Sequence, residues 1–90
     1  MTFKRRLRWL GKLVSEEGFT LHYGNRSVYY ADARGVFQFG FEDALLFPKP
    51  HQVAGDPVTL EASELEEVMD RVIRGIRFDG HTVDVYRSRL

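Results

Sequence analysis

The sequence has 90 residues, of which 43% are hydrophobic, and its 13 basic and 13 acidic side chains give a formal net charge of zero. A single domain of this size buries only about 60–65% of the surface of its unfolded chain, which predicts one sheet with one or two helices and excludes a large enclosed substrate cavity. There is no cysteine, which excludes a disulfide framework and a thiolate metal site.

The longest uncharged apolar run, Ala44 to Phe47, is far shorter than the roughly 20 residues that a membrane-spanning helix needs. Arg8 and Lys12 interrupt the region where a signal peptide would be apolar. We therefore predict a cytoplasmic protein with no membrane association and a single domain over residues 1–90.

The net charge conceals an uneven distribution along the chain. Residues 1–14 carry five cations and no acid, whereas residues 15–90 carry 8 basic and 13 acidic side chains. Such a basic segment is typical of contact with nucleic acid, a membrane surface or an acidic partner, and it can equally contact its own acidic body. We divide the domain into a basic N-terminal segment, 1–17, and an α+β core, 18–86.

The apolar residues of 3–14 fit two periodicities. Helical spacing connects Phe3, Leu7, Leu10 and Val14, whereas strand alternation connects Phe3, Leu7, Trp9 and Leu13. The interpretation favoured here is a short N-terminal helix, and residues 15–18 then form a turn.

Two turns predict a three-stranded antiparallel meander. A two-residue turn at Gly24-Asn25 would place Leu21 opposite Val28. A second turn near Arg34-Gly35 would then place Tyr30 opposite Phe39. An even-numbered second loop keeps all the large apolar side chains on one face. They are Phe19, Leu21, Val28, Tyr30, Phe37, Phe39 and Phe41.

Residues Ser63–Phe78 predict one long amphipathic helix that covers this aromatic face. Its apolar stripe comprises Leu65, Val68, Met69, Val72, Ile73 and Ile76. Ser63 and Glu66 have the spacing of a capping box, and Gly80 suits the left-handed residue that ends a helix. Residues 52–62 are predicted to be a connection, and His81–Tyr86 a C-terminal strand with Val83 and Val85 facing inward.

The opposite face of the meander is polar, and we take it as the candidate partner-binding surface. The same register places His22, Ser27 and Glu42 in one row, and the surface comprises His22, Ser27, Tyr29, Gln38 and Glu42. A catalytic triad needs histidine between the nucleophile and the acid, but here serine occupies the middle strand. With no sign of an oxyanion hole, we predict a binding surface without catalysis.

Nucleic-acid binding is the alternative function. Basic side chains neutralise phosphates and a tryptophan can stack on a base, and the segment contains Lys4, Arg5, Arg6, Arg8, Trp9 and Lys12. Residues 15–90 carry more acidic than basic side chains and would repel a polyanion, which argues against nucleic-acid binding. The three histidines share no short ligand spacing, so we predict neither a metal site nor a cofactor.

From Phe47 to Val85 the chain runs through Pro50-His51, an amphipathic helix opened by Glu66-Glu67, and residues 79–85, Asp-Gly-His-Thr-Val-Asp-Val. Together with the strands around Phe19 and Val28, this pattern resembles the immunity protein 74 family of bacterial polymorphic toxin systems, over residues 18–86. The resemblance implies a non-enzymatic α+β protein that binds and neutralises a cognate toxin in the cytoplasm. It transfers no functional residue. The open sheet edges could also support a homodimer.

Overall fold

The computed structural model describes residues 3–5 and 12–86. This part of the chain is α+β, with one helix and a curled, mixed sheet that resembles half of a barrel. The elements are β1 (Phe3–Arg5), β2 (Lys12–Ser15), β3 (Thr20–Gly24), β4 (Ser27–Asp32), β5 (Gly35–Glu42), β6 (Leu45–Leu46), β7 (His51–Ala54), α1 (Ala62–Phe78) and β8 (Asp84–Val85).

The predicted meander is confirmed as β3–β4–β5, but both registers differ by two residues from the prediction. Leu21 lies opposite Tyr30, and Tyr30 lies opposite Phe37. The first turn is Asn25-Arg26, with Arg26 at φ 55°, and the second is Ala33-Arg34. Because side chains alternate with a period of two, this shift leaves every residue on its predicted face.

The apolar face of the meander and the stripe of α1 form the core. Phe41, Leu65 and Ile73 are partly buried against it. Leu13 of β2 is 6% exposed and belongs to the same core. The fully buried side chains include Phe19, Leu21, Val28, Tyr30, Phe37, Phe39, Leu46, Val68, Val72 and Ile76.

Helix α1 confirms the predicted element, but its N-terminal cap lies two residues earlier than expected. Glu61 is the N-cap, and its backbone N–H donates to the Glu64 carboxylate at 3.0 Å. The predicted capping box of Ser63 and Glu66 is therefore wrong, because Ser63 already lies within the first turn. At the other end Gly80 has φ 87°, as predicted, and its N–H donates to the carbonyl of Arg77 at 3.0 Å.

The N-terminal segment does not contain the predicted helix over 3–14. Residues 3–5 and 12–15 are strands, and Arg5 pairs antiparallel with Leu13. Strand β2 also pairs with β3, so Leu13 lies opposite Leu21. This pairing favours the alternation of odd-numbered apolar residues over the helical spacing. Residues 6–11 lie outside the described part of the chain.

Strand β5 has different neighbours along its two halves. Its first half pairs with β7, where Gln38 lies opposite His51, and its second half pairs with β6.

The predicted connection over 52–62 is partly wrong, because residues up to Ala54 are strand. Residues 47–50, which contain two prolines, lie outside the strands, since proline cannot donate to a strand ladder. Within the predicted C-terminal strand, β8 pairs parallel with β6, and Val83 is buried.

A polar network connects the sheet to the helix. Tyr30 is fully buried, and its hydroxyl donates to Asp32 at 2.7 Å and accepts from Arg71 of α1 at 2.9 Å. Arg34 lies 2.6 Å from Asp32 and 3.3 Å from Glu64 of α1. Burial, the hydrogen bond to Asp32 and the charge of Asp32 raise the pKa of Tyr30 against the opposing effect of Arg71, so its phenol stays protonated.

Among the described residues, no helix combines the length and apolar character that crossing a membrane requires.

Candidate partner-binding surface

The sheet face that points away from α1 is called the outer face below. Its central row crosses four strands, because His22 pairs with Tyr29, Tyr29 with Gln38, and Gln38 with His51. These four residues are the polar row. Directly opposed residues share one face of a sheet, so the row is contiguous.

Contacts within the polar row hold Tyr29 in place. Its ring stacks on His22 with a centroid distance of 4.7 Å and an interplanar angle of 10°. Its hydroxyl accepts a hydrogen bond from the Gln38 amide at 3.2 Å. His22, Tyr29 and Gln38 are partly exposed, whereas His51 is exposed. The row therefore presents an aromatic side chain whose position is set before any partner binds.

A second row consists of small residues and lies beneath aromatic rings. Ser27 pairs with both Gly24 and Gly40. A Cβ on Gly24 would lie 2.5 Å from the ring of Tyr29, and one on Gly40 would lie 3.0 Å from the ring of Phe47. The two glycines thus leave room for these rings to lie against the sheet.

The predicted residues all lie on the outer face, but they do not form the predicted rows. Ser27 lies opposite Gly24 rather than His22, and it is 5% exposed. Its hydroxyl is buried without a hydrogen-bond partner within the described structure. Glu42 is exposed and lies 3.5 Å from Arg26. The predicted row of serine, histidine and glutamate is therefore wrong, because the shift of two residues separates its members.

The described residues at the centre of this face include no acidic side chain. In the described structure, the polar row, the row of Gly24, Ser27 and Gly40, and the row of Val14, Thr20, Ala31 and Val36 contain no Asp or Glu. Glu42 and Asp84 belong to a further row, through their pairing with Leu45. The acids of this face thus lie at its rim.

Two residues of this surface were missed by sequence reasoning. His51 joins the polar row only through the pairing of β7 with β5, and the prolines before it obscured that strand. Phe47 reaches the outer face through a hydrogen bond from its backbone N–H to the carbonyl of Gly40, at 2.8 Å. Its ring centroid lies 5.0 Å from that of Tyr86. Neither contact has a local sequence signal.

The basic residues of the alternative function are described only in part. Lys4 and Arg5 belong to β1, and Lys12 of β2 is in register with His22. Arg6, Arg8 and Trp9 lie outside the described residues. Across 3–5 and 12–86, there is no cluster of three or more His, Cys, Asp or Glu side chains that could hold a metal ion.

Replacing Gly24 with alanine is expected to displace the ring of Tyr29. The added Cβ would lie 2.5 Å from Tyr29 Cε2 and 2.7 Å from Ser27 Oγ, so the ring must leave its stack on His22. We expect a cost of about 1 kcal/mol in folding free energy, since the strain is on the outer face. NMR should show altered ring-current shifts at His22, with core methyl signals unchanged. Unchanged His22 signals would contradict the proposed packing.

The chain matches no protein-family model, and comparisons with curated proteins and with solved structures found no significant similarity.

Proposed function

We propose that this protein is a binding module that uses its outer face to bind another protein, without catalysing a reaction. The observation that carries the proposal is the preformed position of Tyr29 between His22 and Gln38. Tyrosine is enriched in protein interfaces because it offers a large contact area and a hydrogen-bonding group at a low entropy cost. A ring already held by its neighbours loses even less freedom on binding.

The charge distribution supports the same proposal. Protein interfaces characteristically have a centre depleted of charge and a polar rim. The central rows of the outer face lack acids in the described structure, and the pair of Arg26 and Glu42 lies beyond them. Helix α1 covers the opposite face, so the binding surface and the hydrophobic core are separate.

The class of partner that we propose is a toxin. This part of the proposal is supported by the resemblance of residues 18–86 to the immunity protein 74 family. Neutralising a toxin by binding requires a complementary surface and no catalysis, so a face that presents Tyr29 in a fixed position is sufficient. The identity of a captured partner tests this point directly.

Replacement of Tyr29 with alanine is expected to weaken partner binding about tenfold or more, as for tyrosines at interface centres. We would use the purified protein as bait in lysate of its native cells, with and without nuclease, and measure the affinity of the stoichiometric partner. Phe78→Ala is the matched control, since Phe78 is an aromatic residue at the end of α1 and is 53% exposed. This control should bind as the unmodified protein does.

Two outcomes would contradict the proposal. A partner that tolerates Tyr29→Ala would place the interface elsewhere. Capture that disappears with nuclease, and that weakens steeply and linearly on a log–log plot as salt increases, would favour nucleic-acid binding through the basic segment. Circular dichroism of both variants should match that of the unmodified protein, which separates lost binding from lost folding.

A further inference from the structure

The single Asp–Pro bond of the chain lies in an exposed loop. Of the three prolines, only Pro57 follows an aspartate. Residues 55–58 follow β7, and Asp56, Pro57 and Val58 are all exposed. A bond between aspartate and proline is open to attack from within the chain, because the aspartate carboxyl can act as a nucleophile on its own backbone carbonyl, and the leaving nitrogen belongs to a tertiary amide.

The side chain of Gln52 spans this bond. Its Nε2 donates to the carbonyl oxygen of Asp56 at 2.8 Å, and its Oε1 accepts from the backbone N–H of Val58 at 3.1 Å. Because the Val58 N–H can only donate, it fixes which end of the amide is oxygen, and Nε2 must then face the carbonyls. Nε2 also donates to the carbonyl of Ala54 at 3.2 Å. One side chain thus holds both sides of the bond.

Close packing keeps the loop in this position although its residues are exposed. Gly55 has φ 102°, and a Cβ there would lie 2.8 Å from Cα of Gly35 and 3.0 Å from the carbonyl oxygen of Arg34. The loop therefore lies directly against the turn between β4 and β5. The carboxylate of Asp56 makes no hydrogen bond or ion pair within the described structure, so it can rotate towards its own carbonyl carbon.

We propose that the Asp56–Pro57 bond is a self-cleavage site and that Gln52 promotes its cleavage in the folded protein. A carboxyl oxygen of Asp56 forms a bond to the backbone carbonyl carbon of the same residue. The bond from that carbon to the Pro57 nitrogen breaks, and the nitrogen keeps the electron pair and takes the carboxyl proton. Water then opens the cyclic anhydride. The Gln52 N–H stabilises the negative charge that develops on the carbonyl oxygen during the attack.

The reaction acts on the chain itself and does not depend on the proposed binding function. It gives the fragments 1–56 and 57–90, of which the first contains β1 to β7 and the second contains α1 and β8. The fragments should stay associated, because side chains from both, such as Phe39 and Val72, form the core. Cleavage is therefore detected only after the core has been unfolded.

Incubation of the full-length protein in mildly acidic buffer, followed by mass spectrometry under denaturing conditions, tests the proposal. The folded protein should cleave about tenfold faster than the same protein unfolded by urea in that buffer, since only folding places the Gln52 donor on the carbonyl oxygen. Circular dichroism verifies which samples are folded. This comparison needs no variant.

Variants separate the roles of the residues. Gln52→Leu should cleave at the rate of the unfolded protein, because it lacks the donor. Gln38→Leu is the matched control, since Gln38 is the other glutamine of the chain and its amide donates to Tyr29 instead. It should cleave as the unmodified protein does. Asp56→Ala should give no fragments, because it lacks the nucleophile.

Three results would overturn the inference. A folded protein that cleaves no faster than the unfolded one would show that the loop does not promote the reaction. A folded Gln52→Leu variant with the unmodified rate would show that the hydrogen bond to Asp56 has no part in it. Fragments that do not begin at Pro57 would assign the cleavage to another bond.

Discussion

Replacing Asp32 with asparagine is expected to lower the free energy of unfolding by about 2–4 kcal/mol, the range for breaking a largely buried charge pair. The Asp32 side chain is 9% exposed and accepts from Arg34 at 2.6 Å and from Tyr30 at 2.7 Å. An amide cannot accept from all of these donors and would direct its own NH2 group at one of them. Chemical denaturation measures the loss.

The effect of this substitution should depend on pH in a defined direction. Burial alone would raise the pKa of Asp32, but hydrogen bonds from Arg34 and Tyr30 outweigh it and hold that pKa below its ordinary value. The ionised carboxylate therefore stabilises the fold at any pH above about 4, the pKa in the unfolded chain. This contribution is lost as the pH falls through the lower pKa of the folded state.

The difference in stability between the unmodified protein and Asp32→Asn should thus be constant near neutral pH and shrink in acid. Asp70→Asn is the matched control, because Asp70 forms an exposed pair with Arg74 at 2.8 Å within α1. Such surface pairs contribute less than about 1 kcal/mol. A loss for Asp32→Asn as small as for the control would show that the network does not stabilise the fold.

Replacing Gly75 with valine is expected to destabilise the protein by about 2–4 kcal/mol, the cost of forcing volume into a packed core. Gly75 is buried in α1, on the side of the helix that faces Leu21 of β3 and Leu13 of β2. A Cβ at this position would overlap Leu21 Cδ1 and lie 3.3 Å from Leu13 Cδ2. Leu21 is itself 2% exposed, so it has little space into which to move.

Gly75→Ala tests the same contact by the sign of its effect. Helix propensity alone predicts that alanine stabilises an interior helical position by up to about 1 kcal/mol. The close approach of Leu21 predicts a net loss instead. Glu66→Val, at an exposed position of α1, should cost only about 0.5 kcal/mol, since it reports the propensity of valine alone. A stabilising Gly75→Ala would contradict the packing described here.

In the meander, the hydrophobic pattern specifies the face on which each side chain lies but not the register between the strands. Alternation fixed the face of each strand residue, and Phe19, Leu21, Val28, Tyr30, Phe37 and Phe39 are all buried. A shift of two residues preserves that alternation, so the pattern could not distinguish the predicted registers from the observed ones. The first turn was misplaced because Arg26, not a glycine or asparagine, has the positive φ of 55°.

The same limit explains the errors in the candidate site. Face membership was predicted correctly for Tyr29 and Gln38, whereas the partner of each across the sheet depends on register. His51 could not be found because β7 has four residues, follows two prolines and is defined only by its pairing with β5. The N-terminal strands were likewise decided by tertiary pairing, because their apolar residues fitted two periods equally well.

The alternation of side chains across β3, β4 and β5 has a consequence for protein engineering. Residues that determine the fold and residues offered to a partner alternate along each strand, so the two sets can be varied independently. A library that randomises Thr20, His22, Tyr29 and Gln38 would leave the aromatic core intact while changing three of the four residues of the polar row. Gly40 must stay fixed, because it gives the ring of Phe47 room to lie flat against the sheet. The sheet is therefore a scaffold on which recognition could be redesigned at little cost in stability.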